Sequence, residues 1–405
     1  MNIRSNTIYI LFLLCAVTGF AFPVYGSNDS VVAAGFWTRY NKSPHKVLAD
    51  TVWEKRILEQ ERKRVRFLYD VDFDNYFDNR EYDAPYQIPQ TIFNFRLSPS
   101  VGLAVRDRIG GIHQFMAGVR YTQRLGGNWR DVQFDPTAYY RFQYKGFDLA
   151  FGAIPYEQRI RALPDWLMYD SITYMHPNIQ GALFSYHDKR GYVSFMCDWR
   201  GAQTDMRREM FRLVVDGEYC YKGLLLGGIA HLNHTASTKL NPPTDPLYDD
   251  ININVNVGFD ATRYVPHIDS LCLRAGYIYG YARDRLNNVL YQPQGFILDF
   301  YFNWWFLGLK NTFYYGDNLQ PHRPAIGNLM CQGDPFYQAK IYNRTDIFAY
   351  LYRSSFVNVY FSWNMHYDGN GLYHQQQLCA RFSLQGLMNE PKHSNNHYLR
   401  GLFDK

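Results

Sequence analysis

Past residue 26 the chain lacks any unbroken apolar run of the roughly eighteen residues that a membrane-spanning helix needs. Its longest candidate, Phe296 to Leu309, is interrupted by Asp299 and Asn303, so a helical membrane protein is excluded. Cysteine is sparse. Beyond Cys15 the chain has Cys197, Cys220, Cys272, Cys331 and Cys379, an odd number without CxxC or His-Cys clustering, which gives no disulfide framework and no zinc site. No block of one charge sign occurs either. The formal net charge is +5 with Lys and Arg dispersed, which argues against a nucleic-acid partner. No GxSxG is present, which removes the nucleophile elbow of soluble hydrolases. No cofactor motif is found, and none is expected.

What is present begins with Arg4, an apolar run from Ile8 to Phe22 and small or turn-forming residues before Ser27. This is the pattern of a secretory signal peptide over residues 1–26, cleaved after Gly26. Cys15 follows Leu13-Leu14 rather than a small residue, which disfavours a lipoprotein. The full chain combines 18% aromatic residues, including 35 Tyr, with a mean hydropathy of -0.37. A membrane β-barrel has this mixture, because half of each strand faces lipid and half faces water, with aromatic residues gathered at the interfaces.

Two-residue alternation points the same way, since successive side chains on a strand take opposite faces. Phe93, Phe95, Leu97, Pro99, Val101, Leu103 and Val105 alternate with Asn94, Arg96, Ser98, Ser100, Gly102 and Ala104. Ile251, Ile253, Val255, Val257 and Phe259 alternate with Asn252, Asn254, Asn256, Gly258 and Asp260, and Phe296, Leu298, Phe300, Phe302 and Trp304 with Ile297, Asp299, Tyr301 and Asn303. The pattern predicts an all-β, transmembrane, antiparallel up-and-down barrel over residues 64–386 with about 16 strands, the first at 64–74. Connection length sorts by parity. Short links such as Lys145-Gly146, Lys222-Gly223 and Trp304-Trp305 alternate with long ones, Asn75 to Gln90, Tyr156 to Asn178, Ala236 to Asp250, Asp284 to Gln294 and Asp317 to Phe336. Periplasmic turns and external loops of outer-membrane barrels differ in this way.

Residues 27–63 form a periplasmic N-terminal segment in which Val47, Leu48, Val52, Trp53, Ile57 and Leu58 have helical spacing, a short amphipathic helix ahead of the barrel. Residues 387–405 form a polar C-terminal tail. Within the last strand, Gln377 to Leu384 resembles the signal read by the barrel-assembly machinery, with Cys379 in place of its glycine and Leu384 in place of its final aromatic residue. Tyr76-Phe77-Asp78-Asn79-Arg80-Glu81-Tyr82, Leu97-Ser98-Pro99, Tyr169-Asp170-Ser171 and Asp198-Trp199-Arg200-Gly201 resemble an uncharacterised family of porin-like outer-membrane barrels of Gram-negative bacteria. The resemblance implies a barrel and the outer membrane, with no assigned activity.

About sixteen strands leave an aqueous lumen, so passage of small polar solutes is the expected function. Alternation assigns Arg96, Arg120, Arg141, Arg212, Arg274, Asp299 and Lys310 to the pore lining, with Arg106, Arg124, Lys145, Asp216, Glu218, Asp260 and Asp346 as further lumen candidates. The long connection after the fifth strand carries Arg159, Arg161, Asp165 and Asp170. Folded inward, it makes a constriction in which Asp165 and Asp170 face Arg96, Arg120 and Arg141 across a transverse field. Expected partners are outer-membrane lipid and lipopolysaccharide, the assembly machinery and the solutes, with homotrimeric association left open. A binding or structural barrel, or a lipid-modifying enzyme, is the alternative. Tyr121-Thr122-Gln123 looks like a fragment of outer-membrane phospholipase sequence but has no His and Ser following at a usable spacing, and His231 and His234, three apart, fall on opposite faces. Asp70, Asp72 and Asp74 share a face that suits Ca²⁺ or, more simply, water.

Overall fold

A computed structural model describes residues 65–387 except 170, 171, 173, 174, 189, 243, 244, 246, 266, 267 and 354–356. The expected signal peptide, amphipathic helix and polar tail lie outside the described residues. The strands are β1 (Val65–Glu81), β2 (Gln90–Arg106), β3 (Ile112–Arg124), β4 (Val132–Tyr144), β5 (Phe147–Pro155), β6 (Asn178–His187), β7 (Gly191–Gly201), β8 (Met210–Tyr221) and β9 (Leu224–Thr235). They continue with β10 (Tyr248–Asp260), β11 (Ser270–Asp284), β12 (Val289–Tyr291), β13 (Gln294–Trp304), β14 (Leu307–Gly316), β15 (Ile341–Arg353), β16 (Val357–Tyr367) and β17 (Leu372–Leu387).

Every neighbour pair is antiparallel, and β1 pairs with both β2 and β17, which closes the sheet and leaves no edge. The three-residue β12 pairs only with the tip of β11, which otherwise pairs with β13, so of the seventeen strands sixteen make the barrel wall. The outer face is apolar, with Phe67, Val101, Phe115, Val255, Val257 and Phe296 among its exposed residues. Such a belt is stable only against lipid, and closure satisfies the backbone groups that hydrocarbon cannot. The protein is an outer-membrane barrel.

Lys145 and Gly146 have φ of 45° and 85°, and Lys222 and Gly223 of 47° and 84°. Two consecutive left-handed residues match the twist of the flanking strands, so these two-residue turns are tight. Lys145 belongs to that turn and is no lumen residue, while Arg124, at the external end of β3, is exposed. The first strand runs seven residues beyond the predicted 74, to Glu81, so Asn75 to Glu81 is wall rather than loop. Asp and Asn are rich there, and Asn75, Asn79 and Glu81 take the outward parity, but Asp72, Asp78 and Arg80 keep the inward one and are buried.

Two long connections, L3 (residues 156–177) and L7 (residues 317–340), fold into the lumen. Leu163, Trp166, Leu167, Met168, Tyr169 and Ile172 of L3 and Leu319, Phe336 and Tyr337 of L7 form one buried apolar cluster with Ile154, Ile179, Met196, Val214, Ile278, Ile297 and Tyr342 of the wall. These wall residues break alternation, since inward positions on a water-filled barrel are polar. They mark where the plug docks. The loops are joined by backbone bonds from Tyr169 to Gln332 (2.7 Å) and from Asp334 to Asp165 (2.8 Å). Gly333 lies so close to the Trp166 carbonyl that a Cβ would not fit there.

Candidate functional site

Inside the barrel, the cations assigned from alternation are held by partners. Arg96 donates to Asp74 (3.1 Å) and lies 3.9 Å from Glu157, and Arg120 grips Glu157 at 2.7 and 3.1 Å. Arg141 pairs with Asp148 on the adjacent strand, and Arg274 with Glu218 (3.0 Å). Arg212 donates to Gln332 of L7 and Arg159 of L3 to Asp216 of β8. Lys310 and Arg344 both meet Asp165, at 2.6 and 3.5 Å. Arg161, Asp165, Arg274, Asp299 and Lys310 line a single small cavity of about 40 Å³ beneath the plug.

The expected opposition of Asp165 to Arg96, Arg120 and Arg141 is not what the structure has. L3 leaves the wall at Pro155, and the single turn Tyr156–Gln158 keeps Glu157 beside β2 and β3, whereas Asp165 has already crossed to β14 and β15. Arg141 lies two strand positions from Gln143, which pairs with Asp148 near the periplasmic turn, and is remote from L3. Asp170 lies outside the described residues. Asp72 and Asp74 are engaged by Arg381, at 2.8 and 3.4 Å. Among the described residues, no group of three or more His, Cys, Asp or Glu is placed to hold a metal.

Between the plug and the wall of β1 to β4 is a larger cavity of about 650 Å³, lined by Tyr76, Arg80, Tyr86, Asn94, Arg124 and Tyr169 among others. The Arg80 guanidinium stacks 4.7 Å above the Tyr169 ring and pairs with Asp78 (2.6 Å).

A second polar constellation is on the outside of the barrel, at the external rim. Trp199 of β7 pairs with Phe211 of β8, Phe211 with His234 of β9, His234 with Asp249 of β10, and Asp249 with Arg283 of β11. The five side chains form one row around the wall. They share the outward parity of Phe195, Tyr219, Leu226, Ile253 and Tyr277, which are exposed. His234 Nδ1 is 2.7 Å from Asp249 Oδ1, and the other Asp249 oxygen accepts from Arg285 Nε at 2.5 Å. A carboxylate so engaged accepts, so Nδ1 carries the proton and Nε2 on the opposite ring edge is the basic nitrogen. Phe211 packs 5.0 Å from the imidazole and stacks on Trp199 at 5.3 Å.

The sequence reading recognised that His234 faces away from His231 but missed its pairing with Asp249. A signal was there, because His234 ends the outward series Leu224, Leu226, Gly228, Ala230, Leu232 and Asp249 begins the series Ile251, Ile253, Val255. The two strands adjoin, so both breaks fall at one height.

A family model described as lipid A 3'-O-deacylase-type matches residues 59–383. The chain belongs to this family. No curated protein gives a significant match to the chain. Solved structures similar to it include a loop-deletion mutant of the Vibrio cholerae outer-membrane protein OmpT (10% identity, 80% of this chain and 100% of that one, TM-score 0.49). Others are Pseudomonas aeruginosa OccK2 (10%, 79% and 98%, 0.47) and Salmonella typhi OmpF in complex with daunomycin (10%, 78% and 97%, 0.46).

Proposed function

We propose that the protein hydrolyses an acyl ester of lipid A in the outer leaflet, using the outward His234–Asp249 pair. The observation that supports this most is a hydrogen-bonded imidazole and carboxylate on the lipid-facing wall at the external rim, in a chain of a lipid A 3'-O-deacylase-type family. Asp249 fixes the ring and its tautomer. Nε2 takes a proton from water as the water oxygen bonds to the ester carbonyl carbon. The carbon–oxygen bond to the sugar then breaks, and the proton passes to the departing alkoxide. Arg283 in the same row and Arg285 just beyond β11, bound to Asp249, suit the anionic groups of lipopolysaccharide. Trp199 and Phe211 suit the interface where acyl chains meet water.

Purified protein incubated with lipid A in mixed micelles should release one fatty acid, read by mass spectrometry. His234→Asn should lower the rate by about 10²–10⁴-fold. Wild-type protein that leaves lipid A intact under all conditions would remove this reading.

Passage of small hydrophilic solutes is the second reading. It is favoured by the cavity of about 650 Å³ beside the plug and by the charged lumen below it. Planar-bilayer conductance tests it, and no current from inserted barrels would dismiss it. In either case, the signal peptide and the last-strand signal route the chain through secretion and the barrel-assembly machinery.

A further inference from the structure

The lipid-facing rows around β14 are apolar, with Phe296, Leu298, Phe300 and Phe302 on β13, Ile347 and Leu351 on β15, and Phe361 and Trp363 on β16. Three residues break them. Asn311 of β14 stands opposite Thr345 of β15 and Phe300 of β13, and Asn343 stands opposite Phe313. Phe313 and Ile347, exposed and of the same parity, show that all three point outward. The Asn311 amide donates to Asn343 Oδ1 (3.0 Å) and Thr345 Oγ1 (2.7 Å), and the Asn343 amide to Thr345 Oγ1 (3.1 Å).

Their depth makes this notable. Asn311 is four residues from Leu307, where β14 leaves the periplasmic Trp305-Phe306 turn, and four from the external Tyr315. At about 3.4 Å per residue and a tilt near 40°, that is about 10 Å from either girdle, close to the middle of an apolar band about 25 Å tall. Hydrocarbon offers no hydrogen bonds. Two amides and a hydroxyl hold more donors and acceptors than the contacts above use, Asn311 Oδ1 and the Thr345 hydroxyl hydrogen among them.

We propose that β14 and β15 form the contact surface of a two-fold dimer of this chain within the membrane. Copies in one membrane share their orientation, so a two-fold axis must run along the bilayer normal and bring each surface against itself at equal depth. An asparagine amide both donates and accepts, which makes the Asn311–Asn343–Thr345 patch complementary to its own copy. Phe300, Phe313, Ile347 and Trp363 surround it with an apolar rim that shields the polar contact. A three-fold ring would press this patch against a different surface and leave the self-complementarity unused. The inference does not rest on the hydrolase reading, since His234 is on a different part of the wall.

The test is subunit counting by single-molecule photobleaching of singly labelled full-length protein in liposomes over a range of protein-to-lipid ratios. Wild type should bleach in two steps, and the N311L/N343L/T345V variant should need at least tenfold higher density to do so. Retained heat-modifiable migration shows that the variant barrel is folded, and Asn311→Ala alone, with an intermediate shift, serves if the triple variant does not insert. Single-step bleaching of wild type at every density, three-step bleaching, or equal association of wild type and a folded variant would each overturn the proposal. So would cross-linking of this patch in native membranes to another protein instead of a second copy.

Discussion

Arg120 binds Glu157 through both terminal guanidinium nitrogens, at 3.1 and 2.7 Å, and so ties the root of L3 to the wall of β3. A planar fork matched to a carboxylate fixes direction as well as distance. The loop therefore leaves the wall along a defined path, and its apolar residues are delivered to the inward-facing Ile154, Met196 and Val214.

Glu157→Gln should loosen that root. The substitution keeps the shape but removes the charge, leaving the Arg96 and Arg120 guanidiniums facing one another with Asp74 and Asp135 as nearby carboxylates. A charge-assisted contact contributes about 1.5–3 kcal/mol. Hydrogen exchange should rise in L3 while the β10 to β14 wall keeps its protection. Unchanged L3 protection would mean that the apolar cluster alone seats the loop.

Trp166→Ala should act at the other end of the same loop. Trp166 is buried among L3, L7 and wall residues, and deletion of a buried Trp side chain costs about 3–5 kcal/mol where the site collapses poorly. That loss falls on the plug, because the barrel is closed by its own ladder of strand pairs. Proteolysis within L3 should become rapid, with barrel migration on gels unchanged. Any single-channel current should be larger than in wild type.

Much of the barrel was legible in the chain because facing is written in a period of two. The strands at Phe93 to Val105 and Ile251 to Phe259 have no competing pattern, and the tight turns at Lys145-Gly146 and Lys222-Gly223 declare themselves by residue type. β1 ran longer than expected because a run of Asp and Asn looks like a loop when counted by composition, although Asp72, Asp78 and Arg80 keep the inward parity. The plug was less legible. An inward fold of L3 can be read from its length and position, but its crossing point depends on three-dimensional reach. Apolar residues at inward positions, among them Ile154, Ile179, Met196, Val214, Ile278 and Ile297, record where it lands. The His234–Asp249 pair needed strand register, which sequence spacing alone does not supply.

Val255→Arg should separate lipid from lumen. Val255 is outward and mid-strand on β10, between the buried inward residues Asn254 and Asn256. An arginine near the midplane of the lipid face costs about 2–4 kcal/mol. Urea unfolding in liposomes should show that loss, with Val255→Leu near wild type. Equal stability of the Arg and Leu variants would mean that this stretch does not face lipid.

Asp107→Asn should reveal a pH-dependent turn at the periplasmic side. Burial nudges the Asp107 carboxyl upward, but hydrogen bonds from His113 and from the Gly111 and Ile109 amides outweigh it, and its pKa is lowered overall. A lowered folded-state pKa stabilises above the unfolded value of about 3.9 and ceases to do so as pH falls through the folded value. Wild type should therefore be more stable than Asp107→Asn at neutral pH. The gap should close in acid below about pH 4, and a gap independent of pH would mean that the charge of Asp107 contributes nothing.

Asp249→Asn tests the outer rim most sharply. The carboxylate accepts from His234 Nδ1 and from Arg285 Nε, and both contacts favour an imidazole whose Nε2 is the base. An asparagine can also present its NH₂ group to the ring, which would place the proton on Nε2 and remove the base from the lipid-facing edge. Lipid A hydrolysis should fall by about 10²–10⁴-fold, the usual contribution of a positioned general base. The barrel should remain folded, because the pair lies at the rim and the strands on either side keep their ladder. Any conductance should also be unaffected, since Asp249 faces outward, away from the lumen. A variant that hydrolyses lipid A at the wild-type rate would place the chemistry elsewhere on the barrel. Loss of hydrolysis together with unchanged conductance would locate the reaction on the outer wall and separate it from anything that passes through the interior.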